Sequence, residues 1–489
     1  MKEVLTIVNF ELFECEWPDF GFTQQPIGPV SYETYRKRLE NVKAKMKERA
    51  LTHLAIYTDR EHFSNVFWLT GFDPRFEEAL LIITLDQDPL MVVGNDCEGY
   101  LGMSPLFEKG YLKHERYQHF SLMNQPRDTT RQIKDIFCDM GIGGTSRVGT
   151  VGIKYYYQDS LMLDIPAYIA DALRAMCGRA NVVNSADLFM DADKGLRSFV
   201  NVEEIAQFEF SNYLAVKGVK NMIFGLKPGM SDYDLVKLSE YNGTPLACHT
   251  TVVPGYLKDK SMCSPAGRIL EKGITLGMNL SYWGSNICRF GWIAEDENDL
   301  PDQAKDYAEN FAGPYFKAIC KWLSALRIGV KGEELADLIA TELPFEKFGI
   351  FLNPGHLIHT DEWMSAPVYK GSEIALHSGM YLQCDVIPSN DVYGSTRMED
   401  GYVLADENLR AELKEKYPEC YNRCQKRRDF MKEILGSITS CRYLRINFTI
   451  FIKTGNSVPI KILKHENAPV FYGQGLFNFK LNWFINLFI

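Results

Sequence analysis

No run in this sequence approaches the roughly 20 unbroken apolar residues that a membrane span requires, so its apolar residues are there to build an interior. No CxxC pair occurs either. The twelve cysteines stand singly except Cys420 and Cys424, which lie four apart on an expected helix and read as structural. Positive charge is not in excess: 53 Lys and Arg face 63 Asp and Glu, a formal charge of −10. Such a balance carries no general attraction for nucleic acid or an anionic membrane. The opening MKEVLTIVNFELFECEWPDF has acids inside a short apolar run and lacks the small-residue cleavage site of a secretory signal. Single thiols without a signal lead to the expectation of a reduced, cytoplasmic protein. What is present is ordinary for a folded chain: 46% apolar and 24% charged residues over 489 positions. This excludes disordered, collagen-like and disulfide-scaffold classes, and the length allows about three domains.

Residues 1–30 are aromatic and Pro-containing and read as an arm. From 31 to 192, helices alternate with short buried-strand patterns. Leu39, Val42 and Met46 recur at helical spacing in a helix expected over 32–49, and LAIYT, ALLIITL and PLMVVG are continuous apolar runs. Helices over about 128–140 and 166–178 flank another strand, RVGTVGIKY, completing an α/β domain. From 193 to 436 the pattern changes. A long helix over 202–224 is followed by Pro228-Gly229 and by Ser231, an N-cap with Asp234 three residues on. Strand patterns follow around 244–255 and 272–293, helices around 301–325 and 331–343, and a β-rich stretch over 349–404. That order predicts an α+β domain with an antiparallel sheet. LRAELKEKYPECYNRCQKRRDFMKEIL reads as one charged amphipathic helix with Arg427 and Arg428 on a solvated face. Residues 437–489 form an atypical apolar tail, with five charged residues against nine aromatics from Asn447 onward.

Several segments in order resemble one family. RSFVNVEEIAQFEFSNYLAVKGVKNMIFGLKPGMSDYDL, GTPLACHTTVVPG, RILEKGITLGMNLSYWG, NPGH, SGMYLQCDVIP and STRMEDGYVLADE are similar to the catalytic domain shared by methionine aminopeptidase, aminopeptidase P and creatinase. NVFWLTGFDPRFEEALLII resembles the N-terminal domain of creatinase and aminopeptidase P. The resemblance implies a C-terminal pita-bread domain preceded by a smaller α/β domain, assembled as a homodimer.

The metallopeptidases of this fold hold two metal ions with two aspartates, a histidine and two glutamates, and a bridging hydroxide attacks the peptide carbonyl. Carried over residue by residue, the first aspartate falls at Asn279 and the second, eleven residues on, at Phe290, or at Asn286 if the register slips. His356 in NPGH matches the histidine, Asp385 and Glu399 the two glutamates. Two charges are thus missing, among them that of the residue that bridges the ions, which argues against a dinuclear centre and leaves a single divalent ion on His356, Asp385 and Glu399 as the alternative.

Creatinase offers a metal-free precedent, with Asn where Asn279 stands. By that resemblance Phe72 and Arg75 lie near the Phe and Arg that reach across the dimer to the substrate, and a guanidinium fork suits a carboxylate. His359 stands where a second, substrate-contacting histidine is expected. Cys263-Ser264-Pro265 replaces the His-Asn-Pro of creatinase's shuttling histidine, and Cys263 reads as an ordinary small residue. Arg397 is expected to pair with Glu399 or Asp400. The expected function is metal-independent hydrolysis or lysis of a C–N or similar bond in a small, zwitterionic, carboxylate-bearing metabolite. His356 and Glu399 would do acid–base work, and Asp385 would hold a cationic part of the substrate. A metal-dependent Xaa-Pro aminopeptidase and an inactive ligand- or protein-binding homologue are the alternatives.

Overall fold

The computed structural model describes residues 20–21, 29–255 and 262–433, together with the backbone of four short strands at 10–15, 443–445, 460–465 and 487–488. Most of the expected arm and apolar tail lies outside the described residues. The chain divides into two units, Gly28–Phe199 and a larger one formed by Met1–Ile27 and Val200–Ile489. The boundary falls at Phe199/Val200, a few residues past the expected 192/193, and the first 27 residues group with the larger unit.

The smaller unit is built on α1 (Tyr32–Glu48), β1 (His53–Thr58), α2 (Ser64–Thr70), β2 (Ala79–Thr84), β3 (Leu90–Val93), β4 (Lys113–Arg116), α3 (Ile133–Asp139), β5 (Val148–Val151), α4 (Ala167–Cys177) and β6 (Val182–Asn184). The strands form one sheet in the order β4-β3-β2-β1-β5-β6. Every residue of β1, β2 and β5 is buried, which is why their sequences are apolar without alternation. Leu39, Val42 and Met46 of α1 enter the core on one face of the sheet, and Ile169 and Leu173 of α4 enter the core on the other. The helix expected over 128–140 begins only at Ile133.

The larger unit opens with α5 (Val202–Gly225), whose start is fixed by a capping box. Asn201 accepts from the Glu204 amide, and Glu204 accepts from the Asn201 amide. Ser231 and Asp234 form a second capping box, which opens α6 (Asp232–Lys237) as the sequence predicts. Then come β7 (Leu246–Pro254), β8 (Thr275–Tyr282), β9 (Ile287–Trp292), α7 (Gly313–Ala325), α8 (Gly332–Glu342), β10 (His356–Leu357), β11 (Tyr381–Asp385), β12 (Arg397–Leu404), α9 (Glu407–Lys416) and α10 (Pro418–Glu433). The sheet order is β10-β11-β12-β9-β8-β7, antiparallel throughout, with the strands at 443–445 and 487–488 pairing with β12 and β9. Alternate residues of β8 divide the two faces. Leu276, Met278 and Leu280 pack with Ala215, Val219 and Met222 of α5, which leaves Gly277, Asn279 and Ser281 to the other face.

Two expectations about the charged helix are corrected. It is two helices, because Pro418 cannot continue α9 but suits the first turn of α10. Arg427 is not solvated. Its guanidinium and that of Arg423 meet the Glu209 carboxylate of α5, with closest approaches of 2.6 Å each and all three side chains at most 9% exposed. Cys420 and Cys424 are buried beside this triad.

Candidate functional site

Residues directly opposite each other on antiparallel strands share a face, so the pairing register assembles the site. Asp385 of β11 pairs with Glu399 of β12, Glu399 with Cys288 of β9, Cys288 with Asn279 of β8, and Asn279 with Thr251 of β7. These five side chains form one row across the sheet. Cys288, not Phe290, therefore stands opposite Asn279. The β8–β9 hairpin turns at Gly284, whose φ of 78° is left-handed and where a Cβ would sit 1.9 Å from the Phe208 ring. That tight turn makes the spacing nine residues instead of the eleven carried over from the family, which moves the partner of Asn279 two positions toward the turn.

Asn286, at the end of the same turn, ties the row together. Its side-chain oxygen accepts from Asn279, and its amide donates to Glu399 Oε1 at 2.7 Å and to Glu362 Oε1 at 2.9 Å. Glu362 comes from the loop after β10 and is a site residue that the sequence did not single out. Arg397 lies two residues before Glu399 and so points to the same face. Its Nη2 donates to Asp385 Oδ1 at 2.8 Å and to Glu399 Oε2 at 2.6 Å, while its Nε is buried with no partner among the described residues. Asp400, on the opposite face, pairs with the fully buried Arg289 at 2.8 Å.

His356 is 2% exposed, with Nδ1 3.1 Å from the Leu357 carbonyl. Its Nε2 stands 3.9 Å from Asp385 Oδ2 and 3.8 Å from Glu399 Oε1, and has no hydrogen-bond partner among the described residues. The exposed Trp363 ring lies 5.9 Å from the imidazole.

The charges sort the acids into different states. Burial alone would raise Glu399, but Arg397 and His356 hold it below its ordinary value. Burial and the Glu399 charge outweigh Arg397 at Asp385 and raise it. Burial, then Glu399, lifts Glu362 to about 7. Burial alone would lower His356, but the Glu399 and Asp385 carboxylates raise it. Burial pushes the Cys288 thiol to about 12, so it is no thiolate at neutral pH.

The other expected site residues lie elsewhere. His359 bonds Glu204 at 2.8 Å and packs edge-on against Phe208, so it braces the start of α5. Phe72 is fully buried and stacked on Tyr100 within the core of the smaller unit, a packing position and not a free ligand contact. Arg75 is partly exposed on the same unit, with φ of 61° and its guanidinium 3.2 Å from Asp73. Cys263 lies beside β7, where its carbonyl accepts from the Val252 amide.

A dinuclear metal centre does not fit this donor set. Asn279, Asn286 and Cys288, whose thiol burial keeps protonated, offer no carboxylate where the resemblance expects two aspartates, and Asp385 and Glu399 both accept from a guanidinium. A narrower cluster remains: His356, Glu362 and Glu399 offer ligand atoms within 4.8 Å of one another and could hold one ion. It contains Glu362 where Asp385 was expected. Next to the row, the same face of the sheet carries a cavity of about 710 Å³ that Thr251, Cys288 and Arg397 help to line.

No protein-family model and no curated protein matches this sequence. Solved structures do. The prolidase from Pyrococcus horikoshii aligns over 76% of this chain and 95% of its own, with a TM-score of 0.58 at 16% identity. The Xaa-Pro dipeptidase from Bacillus anthracis covers 76% and 96%, with a TM-score of 0.58 at 15% identity. The X-Pro aminopeptidase from Thermotoga maritima covers 76% and 95%, with a TM-score of 0.57 at 14% identity. The chain has the pita-bread fold of these proteins, and its own residues must argue its chemistry.

Proposed function

We propose that the larger unit is a hydrolase centre, or a lyase built on the same groups, that cleaves a C–N or similar bond of a small carboxylate-bearing metabolite without a metal ion. The observation that carries this reading is Arg397, whose guanidinium donates to both acids that survive from the metallopeptidase pattern. The fold neighbours named above are peptidases, which supports hydrolysis of a C–N bond. His356 Nε2, buried and without a hydrogen-bond partner among the described residues, is the group placed to give a proton to a departing nitrogen. Glu362, with a pKa near neutrality, is the matching base for the attacking water. Glu399 and Asp385 act mainly by charge: Glu399 is held ionised by Arg397 and Asn286, and Asp385 holds Arg397. The acid pair therefore needs no cationic group on the substrate.

One observation favours a second reading. The convergence of His356, Glu362 and Glu399 suits a single divalent ion, which would act there as a Lewis acid. Turnover of N-acyl and N-carbamimidoyl amino acids in the presence of EDTA separates the two. Activity that survives chelation and is lost in His356→Gln supports the metal-free centre, whereas activity abolished by EDTA and restored by Mn or Zn supports the ion.

The family resemblance further supports a homodimer with Arg75 reaching the partner's pocket, and a chain that stays monomeric at micromolar concentration in light scattering would remove that role. The ten described cysteines form no disulfide, in keeping with a proposed cytoplasmic location. Among the described residues no helix is long and apolar enough to cross a membrane.

A further inference from the structure

We propose that the substrate of this centre carries a sizeable apolar body joined to a carbonyl or carboxylate oxygen, and that the cavity beside Arg397 receives both. The inference rests on the hydrolase reading of the site and names its substrate class. The cavity's volume of about 710 Å³ falls within the roughly 300–1,000 Å³ of small-molecule sites. It is far larger than an acetyl or glycyl unit needs.

Its composition is graded. At the catalytic end lie Cys288 and Arg397, on or beside the row of site side chains. Moving away from the row along the same face, Val253 of β7 and Phe290 of β9 make the wall apolar, while Glu346, Lys347 and Asp391 put charge at the outer rim. The outer part is lined by Phe345 and Phe351, which are 61% and 79% exposed. Two phenylalanines held in water beside an apolar hollow mark a surface suited to an apolar ligand.

The polar end has its own requirement. Arg397 spends Nη2 on Asp385 and Glu399, whereas its Nη1 makes no hydrogen bond among the described residues and the side chain is 17% exposed where it lines the hollow. A guanidinium nitrogen that opens onto the hollow favours a charge-assisted hydrogen bond, so an acceptor oxygen from a ligand is its natural partner. A ligand with an acceptor oxygen at Arg397 and an aryl or alkyl group running toward Phe351 satisfies both ends.

Calorimetric titration of the full-length protein tests this with three probes: 4-phenylbutanamide, 4-phenylbutanoate and acetamide. Both phenyl compounds are expected to bind at least about tenfold more tightly than acetamide. A carboxylate that binds more tightly than the amide assigns the Arg397 partner as an anion, while equal binding assigns a carbonyl, and both orders agree with the proposal. Val253→Trp, which fills the hollow from β7, should abolish binding of both phenyl compounds. Phe351→Ser, at a solvent-exposed side chain and so compatible with folding, should weaken it about three- to tenfold. Acetamide binding within about threefold of the phenyl compounds, or unchanged affinity in the Phe351→Ser protein, would overturn the proposal. Binding is read without turnover, so a protein that binds these probes yet cleaves no N-acyl compound refutes the hydrolase reading alone.

Discussion

Replacing Glu362 with Gln separates the metal-free centre from its metal-bound alternative by sign, not size. Glu362 is raised from 4.5 to about 7 by burial and then by Glu399. A carboxyl whose folded pKa lies above its unfolded value binds protons more tightly in the folded state, so stability falls as pH rises from about 4.5 to about 7. Above that window the penalty is complete. A shift of about 2.5 units at about 1.36 kcal/mol each gives an upper limit of about 3.4 kcal/mol, which water at this half-buried side chain reduces to about 1–2 kcal/mol. Gln has nearly the same shape, and its carbonyl can still accept from Asn286, but it carries no charge. In EDTA-treated protein, Glu362→Gln is therefore expected to raise the melting temperature by about 1.5–3 °C at pH 8.5 and to leave it nearly unchanged at pH 5. With an ion bound to His356, Glu362 and Glu399, the Glu362 charge would be an asset, and the untreated variant would melt lower at pH 8.5. Differential scanning fluorimetry at both pH values reads this directly. Equal stabilisation at pH 5 and 8.5 would refute the titration argument, and destabilisation at pH 8.5 after EDTA would refute the assigned environment of Glu362.

Three further outcomes follow from the packing. Arg397→Met leaves Asp385 and Glu399 buried without their cation and should cost about 3–5 kcal/mol, read as an early thermal transition by circular dichroism. Glu209→Gln should cost about 2–4 kcal/mol, because Arg423 and Arg427 lose a shared carboxylate. Burial opposes ionisation of Glu209, but the two arginines hold its pKa below the ordinary 4.5, so this contribution is present at neutral pH and fades below about pH 4.5 as the carboxyl protonates. Gly284→Val faces both a left-handed backbone and the Phe208 ring, and should lower stability by more than about 2 kcal/mol in urea denaturation, whereas Gly329→Ala, where a Cβ meets nothing, should cost less.

The fold was legible because its signals are local or ordered. Apolar runs mark buried strands, Ser231 with Asp234 marks a helix start, and the motif series carries the order of the larger unit. His356, Asp385, Glu399 and Asn279 were legible for the same reason, since each sits inside a motif, and the sheet register brings the last three into one row. What escaped depends on distance or on counting. Cys288 was missed because an eleven-residue spacing was carried onto a hairpin that Gly284 makes two residues shorter; the WGS turn after LSY was the available clue. Glu362 lies in a loop without periodicity, and nothing local distinguishes it from a solvated acid. Arg427 looked solvated because its partner, Glu209, is more than 200 positions away. Phe72 and His359 were taken from family positions, but burial in a core and a bond to Glu204 give each a packing role.

The claim at the centre of this account is that Arg397, not a metal ion, balances the acids of the site. Metal analysis by inductively coupled plasma mass spectrometry, on protein purified without added metal, tests it most directly. The account predicts far less than one equivalent of Mn, Fe, Co or Zn per chain. One or two equivalents that disappear in His356→Gln and Glu399→Gln would contradict it.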